Sequence, residues 1–318
     1  MKQVVRDLWV TRLVLAIIRA AKWLSYYLRH SAALSRRYDP THSQAKIMKQ
    51  AHTIEKGLSF GRIRPHFGAE KRARLIEEMQ NSRAAGDNAA AFAVGAGVLS
   101  AYLGWHRDTG ETGGDIAALE TLVAGFGSSG FGGTVPYRPN YTPEQTAAYN
   151  AMVMERRSVR NFRPDPVPLE ILRDAIRVAT YSPSVCNRQS WAVSIVQNPA
   201  KVKAALALQN GNRGFDDTIG NVLVVHADVR GFLDEYEMFE PFVDGGLFSN
   251  ALVNALNAHN VGSCCLNLCS SHHKVMELAA TLELPPGLFP IMMIACGYAA
   301  DGCRVAMSKR LEPLIFVN

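Results

Sequence analysis

The chain lacks most of the features that would place it at once. Its 318 residues carry only six cysteines, two of them adjacent at Cys264 and Cys265 and none at a paired spacing. That excludes a disulfide scaffold and implies a reducing cytoplasm. Vicinal cysteines cannot easily share one tetrahedral ion, and no second ligand pair sits at zinc-site spacing, so Cys264, Cys265, Cys269, His272 and His273 do not form a zinc motif. No apolar run reaches the roughly 18–20 residues of a membrane span, because Arg12, Arg19, Lys22 and Arg29 interrupt LWVTRLVLAIIRAAKWLSYYLRH. No small-residue cleavage site follows a clean apolar core, which argues against a signal peptide. A G-x-G-x-x-G after a strand, a P-loop and a G-x-S-x-G elbow are all missing. The net charge of +6 is not pooled in one long block, which removes the usual reason to expect nucleic acid. It concentrates near the N-terminus and around Arg156, pointing to a membrane surface and a small anion respectively.

What is present divides at about residue 140. At 100° per residue Arg12, Arg19, Lys22 and Arg29 fall within about a third of a helical wheel, with Trp9, Leu13, Ile17, Trp23, Leu24 and Tyr27 assigned to the other side. Trp and Tyr together with Arg and Lys suit a helix lying in a lipid interface. A helix packed on its own protein or on a dimer partner is the equal alternative. Helices are expected over 40–60, capped by Asp39 or Thr41 and ended by Gly57, then over 69–85 and 89–105. Residues 108–140 read as a Gly-rich linker with a short helix at 116–124. The pattern thus gives three parts: a basic amphipathic helix (1–30), a helical extension and linker (31–140), and a layered domain (141–318).

In that last part a helix opens at Thr142-Pro143-Glu144. Strands at 191–197, 221–227 and 290–297, with a strand or tight loop at 262–268, alternate with helices at 169–180, 198–210, 244–259 and 273–282. This is an α/β or α+β arrangement.

Four segments carry candidate chemistry. RRSVRNF gathers Arg156, Arg157, Ser158 and Arg160 where a helix passes into a turn, and guanidinium groups bind phosphate bidentately at any working pH. A solvated ion-pair cluster is the ordinary reading of such a run. YSPSVCNRQSW crowds Ser182, Ser184, Asn187 and Gln189 ahead of a strand, suiting a small ring with carbonyls and ring nitrogens, or simply a well-bonded turn. GSCCLN offers a glycine for close backbone approach. MSKRLEP supplies Lys309 and Arg310, ordinarily a solvated tail.

Taken in order, RRSVRNF, SPSVCNRQSW, DGGLFSNALVNALNAHNVGSCCLN and the terminal SKR resemble the FMN-dependent nitroreductase family over about 150–318. The resemblance implies an α+β fold, with a mainly antiparallel sheet wrapped by helices in an intertwined homodimer and FMN at the dimer interface. Arg156, Arg157, Ser158 and Arg160 would contact the FMN phosphate, ribityl chain and ring edge. Pro183, Ser184, Asn187 and Gln189 would reach FMN from the other subunit. The backbone of Cys265, Leu266 and Asn267 would lie near flavin N5, and Arg310, helped by Lys309, would clamp the phosphate. NADH or NADPH would be the reductant.

Two departures stand out. Ser190 replaces the usual proline between Gln189 and Trp191. HTIEKGLSFGRIRPHFG in the extension resembles a branch associated with bacterial surface-polysaccharide biosynthesis. There His52, Glu55 and Lys56 are more naturally helix-surface residues than flavin neighbours.

The expected activity is an FMN oxidoreductase passing electrons from NAD(P)H to a nitro-, quinone- or enone-like or sugar-linked acceptor, with no side chain needed as acid. The alternative is a non-redox, membrane-associated partner of a glycan assembly complex. Flavin self-cleavage is a distant third. The expected location is the cytoplasm, peripheral at the inner face of the membrane.

Overall fold

The computed structural model describes residues 2–35, 37–87, 90–113, 115–127 and 130–317, with side chains from residue 9 onward. Ala89, the expected first residue of one helix, lies outside them. Helix α1 runs Lys2–His30, followed by α2 (Pro40–Leu58), α3 (Ala69–Ala84), α4 (Ala90–Asp108) and α5 (Ile116–Phe126). Asp39 caps α2 by accepting from the Thr41 and His42 amides at 2.8 and 3.1 Å, with Pro40 in the first turn. Gly57 does not end α2, which continues to Leu58 and is closed by Ser59. A Cβ on Gly57 would lie 2.1 Å from the Phe67 ring, so the glycine serves packing, not termination. Ile47, Ile54, Leu75, Met79, Leu99 and Tyr102 close a separate core among α2–α5.

The sheet follows. Helix α6 (Pro143–Glu155) begins with a capping box between Thr142 and Gln145. After it come α7 (Leu169–Ala179), β1 (Trp191–Val196), α8 (Pro199–Ala207), β2 (Asn221–Asp228), α9 (Glu240–Ala258), β3 (Gly262–Asn267), α10 (His272–Thr281) and β4 (Leu288–Gly297). The strand order is β1-β2-β4-β3, and every pair is antiparallel. The α+β reading holds.

Strand β2 is central and buried on both faces, so its alternation feeds two cores. Val222 and Val224 pack with Cys264, Leu266, Met293 and Ala295 under α8 and α10. Leu223 and Val225 pack with Ile294, Phe248, Leu252 and Leu172 under α7 and α9. Helix α9 starts four residues before the expected Asp244, because Pro241 is tolerated in a first turn.

Helix α1 divides. Its base packs through Tyr27, with Trp23 and Tyr26, against Val229, Phe232 and Phe289. Trp23 meets Phe242 and Phe289 at centroid distances of 4.7 and 4.8 Å. Residues 9–22 project into solvent. Helix α2 in turn packs against the turns at 185–187 and 229–231.

Candidate functional site

Arg156 is the C-cap of α6, and from there the chain is laid along β3. Ser158 bridges Ser263 in parallel, the Val159 amide donates to the Ser263 carbonyl at 3.0 Å, and Phe162 bridges Ala299. The approach is close enough that Gly262 is required: a Cβ there would lie 2.7 Å from Val159 Cγ2. The glycine singled out in GSCCLN therefore admits the arginine segment itself. Val159 and Phe162 turn into the core, while Arg160 is exposed and Arg156 and Arg157 are half-buried.

Among the described residues none of Arg156, Arg157 and Arg160 pairs with a carboxylate. Arg157 donates only to the carbonyls of Met154 and Arg156. An ordinary surface ion-pair cluster is thus not what the segment forms. Three guanidinium groups stand on a sheet edge without an internal counterion, a donor set that fits a phosphate.

Cys265 and Asn267 are on the open face of β3, while Cys264 and Leu266 are buried in the core. Although part of Cys265 is open to solvent, the protein crowded around it desolvates the thiol and raises it above its ordinary range, with Cys264 adding to this and the Arg156 charge opposing it. The Arg156–Arg160 and Cys265–Asn267 segments therefore share one edge. Beyond Asn267 a pocket of about 400 Å³ opens between α1, α9 and β4, lined by Trp23, Phe242, Gly246, Leu268, Phe289 and Met292.

The loop Ser182–Ser190 is held differently. Cys186, Asn187 and Gln189 have φ of 50°, 52° and 54°, a left-handed conformation that costs roughly 1–2 kcal/mol per non-glycine residue. Ser184 Oγ accepts from the Gln189 amide at 3.1 Å, and Gln189 Nε2 donates to Asn187 Oδ1 at 3.2 Å. The anchor is Arg188, whose side chain is fully buried. It donates to Glu237 at 2.9 and 2.8 Å, to the Gly231 carbonyl at 3.0 Å and to the Val185 carbonyl at 3.1 Å. Burial alone would raise the Glu237 carboxyl; its hydrogen bonds from Arg188 and from the Leu233 amide hold it below the usual carboxylate range. On the other side Asp244 accepts from the Val185 amide at 3.1 Å, and burial, only partly offset by that bond, lifts its carboxyl to about 6.

Sequence reasoning missed Arg188, Glu237 and Asp244 as the loop's supports. A charged residue inside an otherwise small and polar loop was the available signal; its partner, 49 positions away, was not visible.

Within one chain the four segments do not all meet. Among the described residues no hydrogen bond, ion pair or bridge joins Pro183, Ser184, Asn187 or Gln189 to the arginine edge. Lys309 and Arg310 lie on an exposed tail, Arg310 donating to the Ser308 carbonyl at 3.0 Å. Glu55 accepts from the Gly133 amide at 3.0 Å, and His52 sits 3.8 Å from Glu55. Both knit the extension together. Among the described residues no group of His, Cys, Asp and Glu could hold a metal ion, and no helix is long and apolar enough to cross a membrane.

Comparison with known proteins adds a frame. The Nitroreductase family model matches residues 153–212. A protein named NADH dehydrogenase from Thermus thermophilus is 34% identical over 29% of this chain, which spans 45% of that protein's length. Nitroreductase NfnB of Mycolicibacterium smegmatis is 26% identical over 54% of this chain and 91% of its own. An FMN-dependent nitroreductase structure from Clostridium difficile R20291 superposes with a TM-score of 0.46 at 17% identity, covering 53% of this chain and 99% of its own.

Proposed function

We propose that the chain is an FMN-dependent oxidoreductase of the nitroreductase type, active as a homodimer, in which NADH or NADPH is the electron donor. The observation that carries the reading is the carboxylate-free arginine set on the β3 edge, beside Cys265–Asn267. The family match at 153–212 includes both those arginines and the 182–190 loop, and the names of the relatives fit a nicotinamide-linked reductase activity.

Arg156, Arg157, Ser158 and Arg160 would hold the phosphate, the ribityl chain and the polar ring edge. The backbone of Cys265–Asn267 would lie along the ring. Pro183, Ser184, Asn187 and Gln189 would come from the second copy, with Lys309 and Arg310 closing on the phosphate. Bound FMN supplies two-electron transfer between a nicotinamide and an organic acceptor. The residues' own work is to bind, orient and neutralise. Arg160 would place a fixed positive charge at the ring edge, which would favour negative charge there. The largely apolar pocket past Asn267 would leave room for an acceptor. No side chain is assigned as acid or base.

The exposed apolar tail (Leu311, Leu314, Ile315, Phe316 and Val317) and the exposed apolar residues of α9 (Phe242, Val243 and Leu247) supply surfaces that a second copy would cover. The likeness of HTIEKGLSFGRIRPHFG to polysaccharide-associated proteins suggests an assembly context and no specific reaction.

Purified protein should be yellow and should bleach anaerobically with NADH or NADPH. A colourless protein that gains no colour with added FMN overturns the reading. Colour without bleaching by either nucleotide favours the non-redox partner of a glycan assembly complex.

A further inference from the structure

We infer that α1 and the cleft at its base form a docking surface for an anionic phospholipid bilayer. The inference does not depend on the flavin reading, although Arg19 and Trp23 of α1 also line the pocket that reading gives to an acceptor. Residues 9–22 of α1 touch none of the four cores. Trp9, Leu13, Ile17 and Ile18 are between 43% and 63% exposed, on a helix fixed to the body only at its base. An isolated apolar helix surface of this size is costly in water.

The charge pattern names the occupant. Between Asp7 and Asp39 the sequence contains no acidic residue, while Arg12, Arg19, Lys22 and Arg29 fall in one arc. Leu15 interrupts that arc, and long basic side chains accommodate such a neighbour by extending their charges toward the headgroups. A second copy presenting the same surface would bring cations onto cations; a bilayer rich in anionic lipid would not.

A second feature agrees. On the flank of α1 facing α10 lies a cleft of about 590 Å³. Ile18, Ala21, Tyr26 and Met276 line it with apolar surface, Lys22 and Arg29 line it with positive charge, and no acidic side chain lines it. Apolar surface beside two fixed cations matches the top of an acyl chain and its phosphate. The arrangement places the cations where the projecting helix meets the body, at the depth a headgroup would occupy if α1 lies in the interface.

The test is co-sedimentation of the full-length protein with vesicles of phosphatidylcholine alone and of phosphatidylcholine mixed with phosphatidylglycerol. FMN content and particle mass are recorded on the same samples. Binding to the mixed vesicles only, weakened by salt, is expected. Lys22→Gln with Arg29→Gln should lower the partition coefficient roughly thirtyfold, at about 1 kcal/mol per cation. Leu13→Asp with Ile17→Asp, both on the exposed part, should abolish binding with particle mass and FMN content unchanged. No binding by the native chain overturns the proposal, as does equal binding to both vesicle types. So does a fall to half the particle mass in lipid-free buffer for the Leu13→Asp/Ile17→Asp protein, which would assign the face to a second copy. Protein that binds vesicles but holds no flavin refutes the proposed oxidoreductase and leaves the docking surface standing.

Discussion

Replacing Arg188 by methionine tests the support of the loop most directly. The substitution keeps most of the stem volume over the Phe232 ring, where the guanidinium carbon now lies 5.5 Å from the centroid, and removes every donor. Glu237, whose side chain is 13% exposed, then loses its hydrogen-bonded counterion and keeps only the Leu233 amide and the weaker pull of the Lys49 charge. Removing one partner of a buried pair costs about 3–5 kcal/mol, against a total stability of roughly 5–15 kcal/mol for a domain. At about 2–4 °C per kcal/mol for a domain of this size, the melting temperature should fall by about 6–20 °C.

The decisive measurement is a double-mutant cycle in urea. Glu237→Gln removes the charge and keeps an oxygen for the Leu233 amide, which now donates to Glu237 at 2.7 Å. The Arg188→Met/Glu237→Gln protein should therefore recover a large part of the loss, with a coupling energy of about 1–3 kcal/mol. Under the proposed function Arg188→Met also weakens FMN retention, since Cys186, Asn187 and Gln189 lose the contact that offsets their left-handed backbone. A loss below about 1 kcal/mol for the single variant, or strict additivity in the cycle, would refute the reasoning.

Three further outcomes follow from the same structure. The Asp244 carboxyl is raised from 3.8 to about 6, so the folded chain holds a proton that the unfolded chain releases earlier. Its contribution to stability is full below about pH 4 and is lost as pH rises through 6, and urea titrations of Asp244→Asn should lack that slope. In α4, Gly95→Leu must displace Met79 Sδ, which lies 2.8 Å from a built Cβ, and should cost about 1–3 kcal/mol; Gly104→Ala meets nothing within 4 Å and should gain roughly 0.5–1 kcal/mol by thermal melting. At the arginine edge, Arg156→Ala and Arg160→Ala should each lower FMN affinity about tenfold or more by fluorescence titration, with Lys restoring charge but not bidentate geometry; unchanged affinity in both would remove these residues from the site.

Much of the fold was legible because local signals and burial agree. Asp39-Pro40 and Thr142-Pro143 start helices where the caps say they should. The apolar run NVLVVHA is a doubly buried strand, as its lack of alternation requires. The errors come from residues whose role is tertiary. Gly57 reads as a stop but makes room for Phe67. Helix α8 ends at Ala207, short of the expected Asn210, because Gln209 turns away to donate to the Asn267 carbonyl at 2.7 Å. Trp23, assigned to the apolar face of α1, is by contrast no error: it anchors the helix base on the chain's own body, one of the two roles left open for that face. At the site, residue types were readable and partners were not. Nothing near Arg188 in sequence announces Glu237, and Asp244, read as a helix start, is a support for the Val185 amide.

The helical extension bears on the site through the 182–190 loop. Its α2 packs on the turns at 185–187 and 229–231, and a cleft of about 290 Å³ separates α2 and α4 from Arg188, Gln189 and Ser190. Ser190 stands where the resemblance leads one to expect proline, and proline would fix φ near −65° without donating. Here the stiffness comes from contacts instead. The Ser190 carbonyl accepts from the Asp228 amide at 3.0 Å. Its Oγ fills the space that a Cβ on Gly231 would need, at 1.9 Å from that position. The Gly231 carbonyl is bound by Arg188, and α2 lies against the same turn. The loop is thus restrained by a packed network that includes the extension. If the loop serves the flavin of a second copy, the extension of one chain sets the geometry of its partner's site. The 31–140 segment then belongs to the functional unit even though none of its residues need touch the ring.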